Sequence, residues 1–230
     1  MNRKQCWNCL FLLVIAITGE CAGMSLTSPF PSKIIQLPEA DKSGGLPLNS
    51  TLSNRRSYRD FLPDALTLAD LSQLLWSTQG ITHPRGFRTT PSAGALYPLE
   101  IYLLAANIEG LEPGIYYYDP RRHTLRLTLK GDKRSQLASA AYRQDCIKNA
   151  PAVIAINAVF ARTQRKYHQR GTRYVHIEAG NAAQNIYLQA TSLKLGTVYV
   201  GAFYDSAVQK VLTLPKNVEP LGLMPVGHIP

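Results

Sequence analysis

The alternation of apolar and polar positions divides the chain into a short series of elements. In "TLADLSQLLWSTQG", residues 67–80, Leu68, Leu71, Leu74 and Leu75 recur at three- and four-residue steps, and Thr67 with Asp70 makes a capping-box start, so a helix is predicted. Residues 101–106 are the first clear strand. Residues 115–119 and 124–129 flank "DPRRH" as a hairpin. Asp132 is placed to cap a short helix running to 142, and 153–159 is a continuous apolar strand. The longest helix is predicted over about 174–195, where Val175, Ala179, Ala182, Ile186, Gln189 and Leu193 share a face and Gly196 ends the run. Its apolar members are small, which permits a close approach to a neighbour. A strand over 197–201, a helix over 206–214 closed by Pro215, and a final strand in "LGLMPVGHIP" complete the chain.

Helices and strands do not alternate regularly in this order, and no G-x-G-x-x-G follows a first strand, so a doubly wound sheet is not supported. An α+β domain with a central sheet between helices is expected over residues 52–230. Before it, residues 24–51 hold Pro29, Pro31, Pro38, Gly44, Gly45 and Pro47 and read as a linker or extended arm. Residues 1–23 have Arg3 and Lys4, an apolar stretch from Leu10 to Ile17, and then small residues. That is the layout of a signal peptide or N-terminal anchor, which predicts an exported, periplasmic or cell-envelope protein. Cleavage, retention as an anchor, and lipidation at Cys21 are the three fates it allows. Glu20 stands where a lipoprotein site wants a small residue.

Composition changes this picture only locally. The chain has 230 residues, 45% hydrophobic and 17% charged, as an ordinary globular protein has. Its net charge of +10 is spread without a lysine-rich tail or a nucleic-acid module, so a basic surface is the plainer reading and no nucleic-acid partner is expected. Three of the four cysteines, Cys6, Cys9 and Cys21, lie in the leader. Cys6 and Cys9 have no partner pair for zinc, and Cys146 reads as a buried small hydrophobe.

Four stretches carry chemistry. "NRRSYRDF" sets Arg55, Arg56 and Arg59 around Ser57, and guanidinium groups grip phosphate bidentately. "TTPSAGALYPLEIYLLA" puts Ser92, Ala93 and Gly94 before Tyr97 and Pro98. Small residues there let a flat ring approach the main chain, and Tyr97 offers an aromatic face. Gly201 and Ala202 follow a buried strand in "YVGAFYD". "RTQRKYHQRGTRYVHIEAGNAAQN" crowds Lys166 and Tyr167 among arginines and histidines. Its Gln184 and Asn185 are candidates for a subunit interface.

Taken in order, "RRSYRDF", "PSAGALYPLE", "KYHQRGTRYVHIEAGNAAQNIYLQA" and "LGTVYVGAF" resemble the nitroreductase superfamily, and within it the SagB-type dehydrogenases and thiazoline or oxazoline oxidases. The resemblance implies a nitroreductase-like central mixed or antiparallel sheet flanked by helices, an entwined homodimer, and FMN at the dimer interface. It assigns phosphate, ribityl and ring-edge contacts to Arg55, Arg56, Ser57 and Arg59, ring contacts to Ser92, Ala93 and Gly94 with Tyr97 beside them, and the segment beneath the ring to Gly201 and Ala202.

By the same resemblance Lys166 and Tyr167 are the catalytic pair of a ping-pong oxidoreductase. Hydride passes through flavin N5, and the substrate is a small molecule or a peptide. The rival implied activity is a NAD(P)H-dependent nitro or quinone reductase; a flavin-binding module without turnover is the non-enzymatic alternative. No metal is expected, and contact with a membrane is expected only through the N-terminus. Two departures stand out. Ala95 occupies a position where many nitroreductases have asparagine, which favours the oxidase branch. The C-terminal "VGHIP" lacks the basic residue that often reaches the phosphate. Neighbours on a regular helix do not share a face. For Lys166 and Tyr167 to act together, the helix must be irregular there, or one of them must serve another subunit.

Overall fold

The computed structural model describes residues 33–230, so the leader, its three cysteines and the export reading lie outside the described residues. In chain order the elements are β1 (Ile34–Gln36), α1 (Leu48–Asn54), α2 (Leu68–Gln79), a 3-10 turn (Ala93–Ala95), β2 (Leu99–Ala105), β3 (Gly114–Asp119), β4 (Thr124–Lys130), α3 (Arg134–Ala140), α4 (Asp145–Asn149), β5 (Ala152–Ala158), α5 (Phe160–Tyr167), α6 (Arg170–Ser192), β6 (Leu195–Thr197), α7 (Asp205–Val211) and β7 (Glu219–His228). The strands form one 7-stranded sheet in the order β1-β4-β3-β2-β5-β7-β6. Every pairing is antiparallel, which resolves the expected mixed or antiparallel sheet in favour of the latter.

The sheet is covered on both faces, which explains why β2 and β5 read as continuous apolar runs rather than as alternating ones. Leu99, Ile101, Leu103, Ile154 and Ile156 join a core with Leu71, Leu74 and Leu75 of α2 and with Val175, Ala182 and Ile186 of α6. Their strand neighbours Leu104, Val153 and Ala155 turn to the other face. There they meet Leu137 of α3, Ile147 of α4 and Val208 of α7. The result is an α+β fold with an antiparallel sheet between helices.

Thr67 caps α2 as its sequence indicates: its hydroxyl accepts from the Asp70 amide at 3.0 Å, and the Asp70 carboxylate accepts from the Thr67 amide at 3.1 Å. Elsewhere the boundaries move. Lys133 rather than Asp132 is the N-cap of α3. Asp132 sits one residue earlier, accepting the Arg134 amide at 2.9 Å, and the helix ends at Ala140 because Tyr142 and Arg143 have φ of 54° and 59°. Gly196 does not end the long helix. Lys194 takes the left-handed conformation (φ 59°), while Gly196 lies in β6. There a Cβ would press on the Cβ of Tyr58 at 2.8 Å. The strand expected over 197–201 shrinks to β6 plus a single bridge between Val200 and Leu223.

The described part of the proline-rich arm is extended and fastened to the domain. β1 pairs with β4, and Leu37 is buried. The Pro38 carbonyl accepts from Ser72 Oγ at 2.5 Å and lies 3.0 Å from His123 Nε2. His123 Nδ1 meets Tyr118 Oη at 2.9 Å. Burial pushes the His123 imidazole below its ordinary range, and the nearby Lys42 adds to this, while the hydrogen bond to Pro38 opposes it. A depressed folded-state value means the neutral ring supports the clasp, so its contribution is complete above the unfolded value near 6.5 and is lost as pH falls through the folded one. Amide protection of residues 34–40, corrected for the intrinsic exchange rate, is expected to fall in the native chain as pH drops below the ordinary imidazole value of 6.5. In His123→Phe, which cannot titrate, the same segment should show no such pH step.

Candidate active site

The loop joining α2 to β2 carries three departures from ordinary backbone within four residues. Gly94, Ala95 and Tyr97 have φ of 63°, 53° and 48°. Such a turn needs fixing from outside, and Ser92 supplies part of it by accepting the Tyr97 amide at 2.9 Å. Gly94 is the point of closest approach. A Cβ built there would lie 2.9 Å from Tyr167 Oη and 3.0 Å from Lys166 Nζ. The tips of both residues therefore converge on one backbone position within a single chain.

The break between α5 and α6 makes this convergence possible. Lys166 and Tyr167 are the last residues of α5, and His168 leaves the helix with φ 51° and ψ −136°. α6 starts at Arg170 rather than near 174, and it crosses the Gln164 backbone at Gly171, where an added Cβ would stand only 2.9 Å from that backbone. The chain breaks directly after this pair, at His168, and both tips reach Gly94 of their own chain. Lys166 Nζ stands 5.4 Å from the Tyr167 ring centroid, and Tyr174 packs edge-on against that ring at 5.0 Å.

A second group forms around Tyr187, which sequence reasoning did not single out. Arg55 lies over its ring at 5.2 Å, and Ser57 Oγ meets its hydroxyl at 3.0 Å. The same hydroxyl accepts the Tyr199 amide at 2.8 Å. The arginine stretch is thus tied to the segment that leads into Gly201 and Ala202, both exposed. Gly201 also borders a cavity of about 410 Å³ with Phe160, Gln164, His176 and Glu219. Arg56 is exposed, and it donates to the carbonyls of Ser53 at 2.9 Å and Arg55 at 2.7 Å. Arg59 faces another way. Burial pushes the Cys146 thiol up, and the charge of Arg59 is among the influences pulling it back. Among the described residues, Arg55, Arg56 and Arg59 have no carboxylate partner.

Two expectations are corrected. Tyr97 does not present both faces of its ring: the Arg88 guanidinium covers one of them at 4.5 Å. Tyr97 lines a cavity of about 350 Å³ with Arg88, Glu100, Tyr117 and Arg162, and neither Ser92 nor Gly94 borders that space. Asn185 is satisfied within its own chain, donating to the Ser77 carbonyl at 3.0 Å and Thr90 Oγ1 at 3.1 Å. Asn185 is half-buried on a helix packed against α2, and the end of α2 and the loop after it supply its amide with partners. Gln184 is exposed.

Comparison with known proteins agrees with this fold. The family described as the nitroreductase family matches residues 52–228. The chain is 48% identical over 194 residues to a protein of Methanocaldococcus jannaschii named as a nitroreductase, covering 84% of this chain and 96% of that one. The crystal structure of a nitroreductase from Ralstonia eutropha superposes with a TM-score of 0.76 at 31% identity, covering 86% of this chain and 90% of that chain. The microcin B17-processing protein McbC of Escherichia coli is 27% identical over 192 residues, covering 77% and 71%. Matched over most of its length in sequence and in fold, the chain belongs to the nitroreductase family.

Proposed function

We propose that the chain is an FMN-dependent oxidoreductase of the SagB-type dehydrogenase kind, acting as a homodimer. The observation that carries this reading is the meeting of Lys166 and Tyr167 over Gly94. The donor set fits a phosphorylated planar group. Exposed guanidiniums without carboxylate partners suit a phosphate, Ser57 suits the ribityl chain, and the small residues at 92–94 and 201–202 leave main chain open to a ring. When bound, FMN supplies the two-electron acceptor that no side chain can provide. Lys166 and Tyr167 then serve the other half of a dehydrogenation. One takes the proton leaving the substrate, and the other balances the charge. Ser92 and Gly94 hold the flat bed, and Arg55 and Arg56 anchor the phosphate.

The homodimer is supported by the spacing of the two groups. Ser92 lies beside Glu178 on α6, whereas Ser57 meets Tyr187 nine residues later, about 13 Å along the helix. Beside them α6 presents an open face, with Ile177 53% exposed and open space where a Cβ would stand at Gly180. A second copy on that face would bring the bed of one chain to the arginines of the other. Similarity to a microcin-processing protein favours a peptide over a nitroaromatic as substrate.

The rival NAD(P)H-dependent reductase is separated by one experiment. The flavin-loaded protein is mixed anaerobically with excess NADH or NADPH while its visible band is followed. The proposal expects the band to persist for many minutes. Bleaching within seconds would transfer the assignment to the reductase.

A further inference from the structure

Glu178 has no place in the chemistry described so far, yet it is a buried carboxyl with an unpartnered oxygen. It is 2% exposed on α6, directly behind the turn that carries Ser92 and Gly94, and its Oε1 has no hydrogen-bond partner. Gln79, at the end of α2, is 0% exposed, and its Nε2 is likewise unpartnered. The groups facing Glu178 are the Ser92 hydroxyl from the turn, the Gln79 amide from α2, and the Arg88 guanidinium from the loop between them. Arg88 spends Nη1 on Gln79 Oε1 at 2.8 Å and stacks on Tyr97, while its Nε has no partner. A buried carboxyl without a dedicated cation is expensive, and most buried positions on such a helix take an apolar residue.

We infer that Glu178 is a positioning residue for the flavin bed, its carboxylate holding Ser92, and through Ser92 the 92–97 turn, in the form that accepts FMN, and its protonation releasing that turn. The reasoning follows hydrogens. An ionised carboxylate only accepts, so it takes the Ser92 O–H and a Gln79 N–H, which gives both unpartnered atoms a role. With its hydrogen committed to Glu178, Ser92 is oriented to accept the Tyr97 amide, the bond that closes the turn. A protonated carboxyl carries an O–H of its own that must be accepted, and the Ser92 hydroxyl faces it. Ser92 must then accept from both Glu178 and the Tyr97 amide and turn its own hydrogen elsewhere, which re-aims the lone pair that held the Tyr97 amide. The turn holds left-handed φ values at Ala95 and Tyr97, so it relaxes readily once that bond weakens. Burial pushes the Glu178 carboxyl up to about 7, against the opposing pull of the Ser92 hydroxyl, the Arg88 charge and the Gln79 amide that face it. The exchange between the two states therefore falls in the neutral range.

This inference rests on the FMN reading, and its test separates the two. FMN binding to the full chain is measured by calorimetry at about pH 8 and pH 6 for the native protein, Glu178→Gln and Ser92→Ala. If only the ionised form accepts FMN, Kd rises about tenfold between those values in the native protein beyond any change seen in E178Q. E178Q cannot titrate and is expected to lack this extra step. S92A retains Glu178 but loses the connection to the turn, so it should lack the step too. It carries the test if E178Q does not fold by circular dichroism. An equal pH step in the native protein and E178Q, or a step that survives in S92A, would overturn the role of Glu178 and leave the FMN reading intact. No FMN binding by the native protein at either pH would overturn both.

Discussion

Gly94→Ala is expected to cripple the site while leaving the rest of the fold in place. The added Cβ would stand 2.9 Å from Tyr167 Oη and 3.0 Å from Lys166 Nζ, so both tips must move. At φ 63° it would also impose a left-handed conformation on an L-residue, at a cost of about 1–2 kcal/mol. The two effects can be told apart. Backbone strain lowers the unfolding midpoint in any background. Displacement of the pair acts on turnover, where a shift of about 1 Å can cost roughly a hundredfold. In a Tyr167→Ala background the nearest colliding atom is gone, so the further loss of turnover caused by G94A should shrink while the stability cost remains. If G94A matches the native protein in turnover with its oxidisable substrate, the convergence on Gly94 has no catalytic meaning.

The second large effect concerns the pair itself. Lys166→Ala and Tyr167→Phe are each expected to lower kcat by about 10²–10⁴, the range for loss of a general acid or base. Both should leave FMN affinity within a few-fold of the native value, because the phosphate grip is assigned to Arg55 and Arg56 and the ribityl contact to Ser57, at the other group. The double variant should lose little more than the worse single, since the two tips meet at one point and act as a unit. Single-turnover reduction of the flavin by substrate isolates this step from product release. Unchanged single-turnover rates in both variants would make the pair structural and favour a flavin-binding module without turnover.

The residues that decide these outcomes differ in how plainly the sequence announces them. α2 was legible to the residue because its signals are local: leucines on one face and a threonine hydroxyl paired with Asp70. The sheet core was legible as apolar runs, although its strand order depends on long-range pairing that no local pattern encodes. The arginine stretch and the "PSAGA" turn were found because small and charged residues are conspicuous. Tyr187 and Glu178 were missed, since on a helical wheel one is an aromatic core residue and the other a solvent carboxylate. Only the packing of α6 against the turn shows Glu178 to be 2% exposed. The break at His168 was hidden for the same reason. No proline or glycine marks it, and the residue that makes room, Gly171, lies three positions on. Tyr97 was misread because its covering group, Arg88, is distant enough in sequence to escape a local reading.

The central claim is that arginines near residue 55 and main chain near residue 94 together hold FMN between two copies of the chain. Its most direct test is calorimetry of FMN against the chain stripped of any flavin, run beside an Arg55→Ala, Arg56→Ala double variant and beside light scattering for mass. The account predicts a yellow complex of one FMN per chain in a dimer, with affinity reduced at least tenfold in the double variant. A colourless native protein that takes up no FMN at any concentration, or FMN bound equally well without the two arginines, would contradict it.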